Sequence, residues 1–473
     1  MGVMRFFTAP LADDSDHPAP EATYFVSYDG RIIRTRAERV PGELHCVRPV
    51  SDSGKLKTTW PAGGGEVRML STTSLREKEE PYSLAVELAR GTLGELRNQA
   101  AIWEQGGMSI PLAYREAERE AFRLFSQAAC RQTVDAAEAA ELAQRSLELA
   151  CRADDELLRG YTFQKLATHQ RTGQLPVVLG CGVSAVPEEE ASTRFTDAFT
   201  AAAVPMRWSD IELSVGQYDW SGPDALVAWA KGRNLLLRGG PLLDFRPGGL
   251  PGWLEQWAHD LPSLQSFLCD FVETAVARYR GAVKFWEVAA GGADGGVFGI
   301  GEEERLTLTA RVVEAARRAD DDSHVVVRVN DPWGGYQNRG DYRLTPLQFV
   351  DALARSGLGL GVIGLEIDLN TVEAARPLSE VSRLIDLWSI HGLPLQVTVR
   401  ASVGEGALPA SVAQRWAADF LPLLMAKPTV TAVYWSQYAD GPAADPPGGG
   451  VVGEDGRPKG LYETFVRHRR AQG

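Results

Sequence analysis

"KFWEVAAGG", Lys284 to Gly292, decides how the second half of the chain is read. An aromatic pair, a carboxylate and a valine give it the character of a buried strand. Two alanines and two glycines then carry it out with no side chain capable of chemistry. A period of two puts Glu287, Ala289 and Gly291 on one face. The strand therefore holds an acid inside and offers nothing at its end.

Around it the same rhythm repeats. "VVLGCGVS", "VPMRWSD" and "NLLLRGG" precede it as strand candidates, and "HVVVRVN", "VIGLEID", "LPLQVTV" and "VTAVYWS" follow. Helical patterns such as "SLQSFLCDFVETAVARYR", "RLTLTARVVEAARRA" and "SVAQRWAADFLPLLMA" lie between them. About eight βα units predict an α/β fold, a (β/α)8 TIM barrel over residues 174–473. A doubly wound open sheet is the rival, and its fingerprint is a Gly-rich turn from strand into helix. The G-x-G-x-x-G of Gly359 to Gly364 runs instead from helix into strand, the wrong context for a dinucleotide.

Ahead of the barrel the pattern differs. To residue 80, "TYFVSYDGRIIRTR" has two β-rich runs around Asp29-Gly30, a hairpin signal, and "GELHCVRPV" and "GEVRMLSTT" add short strands. This predicts a small β-sandwich-like domain. Residues 81–173 change to a helical period, with "REAEREAFRLFSQAACRQ" and "AAEAAELAQRSLELACRA" as amphipathic helices of a hairpin or bridge.

The 473 residues carry a net charge of -13, which argues against nucleic acid or an anionic membrane surface as partner. Neither the first 20 residues nor any later run has the apolar length of a signal peptide or membrane span. Cys46, Cys130, Cys151, Cys181 and Cys269 are odd in number and lack C-x-x-C spacing, so the expectation is free thiols in the cytoplasm. The seven histidines avoid strand ends and ligand spacing, and "GxSxG" is absent, so neither a metal, a cofactor nor a serine-hydrolase elbow is expected.

Read in order, the strand ends resemble glycoside hydrolase family 10, the endo-β-1,4-xylanase family. "RYRGAVKFWEVAAGG" is similar to its "RYKG…WDVVNE", "NDP" to its Asn-Asp-Tyr, and "YWSQYADG" to its "FWG-x-x-DG". "VGEDGRPKGLYETF" matches its closing helix, and the resemblance spans about residues 175–473. It implies retaining hydrolysis by two carboxylates about 5–5.5 Å apart. Here the acid/base position is Gly291 and the nucleophile position Val399. The sugar-binding set of the second strand has become Ala203, Val204 and Arg207, and the third-strand motif holds Gly240, Asp244 and Phe245.

The resemblance thus implies a catalytically degenerate, xylanase-like pseudoenzyme with no catalytic pair. Its role is then to bind carbohydrate, as an oligo- or polysaccharide, to bind a protein partner or itself, or to serve as a structural subunit. Arg207, Trp208, Asp244, Asn330, Asp331, Trp333 and Trp435 are its candidate ligand contacts. The alternative is a divergent hydrolase of O-glycosyl bonds with relocated carboxylates, Asp294 and Glu405 foremost, then Glu366 and Asp368. Glu366 and Asp368 alternate inward, so at least one needs a partner. Arg207, Arg238, Arg328 and Arg400, all read as strand residues, offer one, either as a structural polar layer or as a site for a charged ligand. Glu287 is expected to be buried against a strand arginine.

Overall fold

The structure, a computed structural model, describes residues 2–8, 18–173, 176–369, 375–404, 409–441 and 446–471. Its contacts group the chain into two compact units: one of residues 1–174, 335–341 and 374–383, the other of 175–334, 342–373 and 384–473.

The second unit is a closed parallel barrel. Its strands are, in chain order, Val178–Gly182, Ala201–Val204, Leu236–Gly239, Phe285–Ala290, His324–Val329, Leu360–Asp368, Leu395–Arg400 and Val430–Trp435, called barrel strands 1 to 8 below. Each pairs with its neighbours in sequence. Strand 8 pairs with strand 1, and strands 3 and 4 meet through Arg238↔Phe285 and Gly239↔Trp286, so the order is sequential and no edge is left. Helices such as Leu261–Arg278 and Glu302–Ala319 connect them.

Two local readings are corrected. The second strand is Ala201–Val204 rather than "VPMRWSD": Pro205 has no N–H for a ladder, and Trp208–Ile211 turns into a short helix. Arg207, immediately before that helix, is therefore not a strand residue. Strand 4 also does not keep period two. The register slips between Glu287 and Ala289, so Ala290 rather than Ala289 stands beside Arg328.

The lower lumen is apolar. Ala201, Ala432 and Tyr434 form its buried cluster, with Val178, Ala203 and Leu236 packed against them. Gly180 is needed there, because a Cβ would stand 2.3 Å from the Tyr434 ring. The ring takes the volume that side chains on strand 1 would otherwise fill.

The first unit holds two four-stranded sheets. One contains Gly2–Phe7 and Glu43–Arg48. The other contains Tyr24–Val26, Ile32–Ile33, Gly54–Gly63 and Glu66–Leu75. The turn between Tyr24–Val26 and Ile32–Ile33 contains Asp29-Gly30. Phe6, Phe25, Leu56 and Trp60 are core residues of this unit, packed in one cluster with Leu84 and Leu88 of the first long helix. Three helices follow, Leu84–Gln105, Leu112–Arg131 and Ala136–Thr172. The last starts on Asp135, whose side chain accepts from the Glu138 N–H, and stops at Gly173 in the left-handed region.

Candidate functional site at the barrel mouth

The carboxyl ends of barrel strands are where such folds place chemistry, and here they carry a chain of alternating charges. Arg238 on strand 3 lies 3.8 Å from Glu287 on strand 4. Arg328 on strand 5 bridges Glu287 at 3.1 Å and Glu366 on strand 6 at 3.2 Å. Arg246 lies 3.7 Å from Glu366 and 2.7 Å from Asp244. Three guanidinium groups alternate with three carboxylates. Both glutamates, Asp244 and Arg238 are buried.

The layer is tied to the barrel wall. Arg238 donates to Thr398 Oγ1 at 3.1 Å from both Nη atoms and lies 3.7 Å over the Tyr434 ring. Asn330 accepts from the Gly291 N–H at 2.8 Å and donates to Glu366 at 3.0 Å. Burial opposes ionisation of Glu366 and Asp244, but the arginines outweigh it. Arg328 and Arg246 hold Glu366 below the usual carboxylate range, and Arg246 does the same for Asp244.

Gly291 directly follows strand 4 with φ +67. A Cβ there would meet Arg246 Cγ at 2.9 Å and Asp244 Oδ1 at 3.0 Å. Where the resemblance calls for an acid, the Asp244–Arg246 pair occupies the space.

Val399 is fully buried on strand 7. Thr398 reaches Arg238 across the lumen, so alternation turns Gln396, Thr398 and Arg400 inward and Val399 outward. The inward residue at the mouth is Arg400, paired with Asp368 at 3.2 Å. That arginine, not Val399, is the side chain strand 7 presents.

The remaining candidates separate. Asp294, in the loop after strand 4, is pushed up to about 6 by burial and then by the Asp331 charge, with Arg246 pulling the other way. Arg305 fixes that loop by donating to the carbonyls of Gly292, Ile300 and Ala293. Asp331 Oδ1 accepts from the Gly334 N–H, and Trp333 lies half-buried in the same loop.

Two aromatics are not available to a ligand. Trp208 is buried, stacked on Phe271 at 4.7 Å with its Nε1–H donated to Glu212. Trp435 is 1% exposed, donates to the Gly449 carbonyl and meets Phe465 of the last helix edge-on. Both are core residues, because a ring whose faces and N–H are already used has none left for a sugar. Glu405 lies outside the described residues.

Sequence reasoning missed Arg246. "DFR", Asp244 to Arg246, holds the signal: an acid and a base two apart at a strand end, able to pair across the turn. Among the described residues, one group of three acids, Asp320 to Asp322, has metal-ligand spacing, and it lies just before strand 5, away from the mouth. No helix of the described residues is long and apolar enough to cross a membrane.

The fold defines the class, a (β/α)8 barrel. Residues 183–297 match the model of glycosyl hydrolase family 10, and the barrel is family 10-like. An 83-residue stretch is 30% identical to endo-1,4-beta-xylanase 3 of Hypocrea jecorina, covering 18% of this chain and 23% of that protein. Another of the same length is 31% identical to endo-1,4-beta-xylanase A of Phanerodontia chrysosporium, covering 18% and 20%. The chain thus aligns with under a quarter of these relatives' length. Native xylanase 10B from Thermotoga maritima superposes with a TM-score of 0.50 at 16% identity, over 64% of this chain and 98% of that one. At that identity the likeness is one of fold.

Proposed function

We propose that this barrel binds a saccharide or a protein partner, or serves as a structural subunit, without hydrolysing glycosidic bonds. One observation carries the reading: the acid position is a glycine whose side-chain space is taken by the Asp244–Arg246 pair. Retaining hydrolysis needs an acid and a nucleophile on opposite sides of the scissile bond. Glu366 and Glu287 are inward, but each is committed to arginine and buried. The sugar-facing contacts then come from the half-buried loop residues Arg207, Asn330, Asp331 and Trp333 rather than from Trp208 or Trp435. The same reading keeps the chain in the cytoplasm, which the free cysteines support.

A second reading has one observation in its favour. Asp294 is raised while Glu366 is lowered, and both interact with Arg246. Carboxyl groups pushed apart in this way are what an acid and a base require.

The test is titration of the protein with xylo-oligosaccharides, followed by tryptophan emission and by reducing ends in the same samples. Saturable binding without new reducing ends supports saccharide binding. Binding with turnover overturns it in favour of the second reading. No binding leaves the protein-partner and structural forms, which light scattering and cross-linking separate.

A further inference from the structure

Residues 335–341 and 375–383 stand between barrel strands in the chain, yet they fold with the N-terminal unit. We propose that the N-terminal sandwich is a clamp for these two segments. Perturbing the sandwich therefore loosens both segments.

Segment 375–383 is held by backbone and charge together. The Met69 N–H, on the strand Glu66–Leu75 at the edge of its sheet, donates to the Ala375 carbonyl at 2.7 Å. Glu380 accepts from Lys57 at 2.6 Å and from Arg376, and Arg376 in turn donates to the Tyr24 hydroxyl at 3.0 Å. Ser379 donates to Asp154 at 2.6 Å, and Arg383 pairs with Glu95 at 3.0 Å. Arg376 and Glu380 are buried. Within the segment itself each has the other; Lys57 and Tyr24 come from the sandwich. Segment 335–341 is held just after the opposite edge strand, Ile32–Ile33, where the Thr35 N–H donates to Asn338 at 2.7 Å and Arg34 pairs with Asp341 at 3.2 Å.

The physical consequence is a grip that weakens as its buried contacts are removed. Removing Lys57 leaves Glu380 with Arg376 alone, and removing the Tyr24 hydroxyl takes one acceptor from Arg376, so each change weakens a buried ion pair without abolishing it. Exposed pairs such as Arg34–Asp341 contribute little by comparison. The grip on 375–383 therefore depends on Lys57 and Tyr24, and that on 335–341 on the Thr35–Asn338 hydrogen bond.

Amide hydrogen exchange of the full chain tests this. Lys57→Met should lower protection of 375–383 by on the order of a hundredfold. Tyr24→Phe, which keeps the ring, should lower it several-fold, and Lys57→Arg should restore it. Protection in barrel strands 1 to 4 should be unchanged in all three. Unaltered protection of 375–383 in Tyr24→Phe and Lys57→Met overturns the proposal, as does a loss spread evenly over the barrel. If Lys57→Met does not fold, Tyr24→Phe alone decides between these outcomes.

Discussion

Gly291 turns the chain at φ +67, with Arg246 and Asp244 standing where its Cβ would go. Gly291→Ala should therefore lower stability by about 1–3 kcal/mol through left-handed backbone and contact strain, read as a drop in thermal midpoint. Gly291→Glu should cost more and give no turnover. Arg246→Met leaves Asp244 buried and ionised with its main partner gone. A loss of about 3–5 kcal/mol in urea unfolding at pH 7 is expected. Asp294 has a folded value of about 6 against an ordinary 3.8. Its charged form is thus disfavoured in the fold, and stability is lost as pH rises from about 4 through 6. Asp294→Asn should be more stable than wild type at pH 7, by about 1–3 kcal/mol, with the gap closing below pH 4. At this scale the sequence places a glycine where the resemblance implies an acid, but does not tell what stands beside it. A turn pair such as Asp244–Arg246 is set by backbone geometry that residue types alone do not reveal.

Among the elements, strands rich in valine, isoleucine and leucine were legible because burial on both faces selects those residues. Ala201–Val204 was not, since three alanines carry little strand preference and "VPMRWSD" beside them carries more. The slip after Glu287 was also hidden, because a bulge leaves composition unchanged while redirecting every later side chain. Which way Val399 faces was not legible, because a motif match carries position along the chain and not direction in space. At the element holding residues 378–388, burial opposes ionisation of Glu380, but Lys57 and Arg376 outweigh it and hold the group down at about 2. That stabilisation is present above the ordinary 4.5 and is lost as pH falls toward 2. Glu380→Gln should cost about 2–3 kcal/mol at pH 7 and progressively less toward pH 3, measured by urea unfolding at both pH values.

For the whole molecule, the barrel was readable from eight repeats of one rhythm, whereas the grouping of 335–341 and 374–383 with the N-terminal unit was not. Contacts between residues three hundred apart, such as Lys57 with Glu380, leave no local trace in a sequence. The central proposal is that a family 10-like barrel carries ion pairs where its fold would place catalytic groups. The measurement that meets it most directly is turnover of xylan and an aryl β-xyloside by the purified chain, beside Asp294→Ala, Glu366→Gln and Glu405→Ala. General acid help alone is worth about 10² to 10⁴ in rate, and the proposed function removes it together with the covalent route. The account predicts that wild type and all three variants release product no faster than buffer. Turnover by the wild type that disappears in any one of the variants would contradict it.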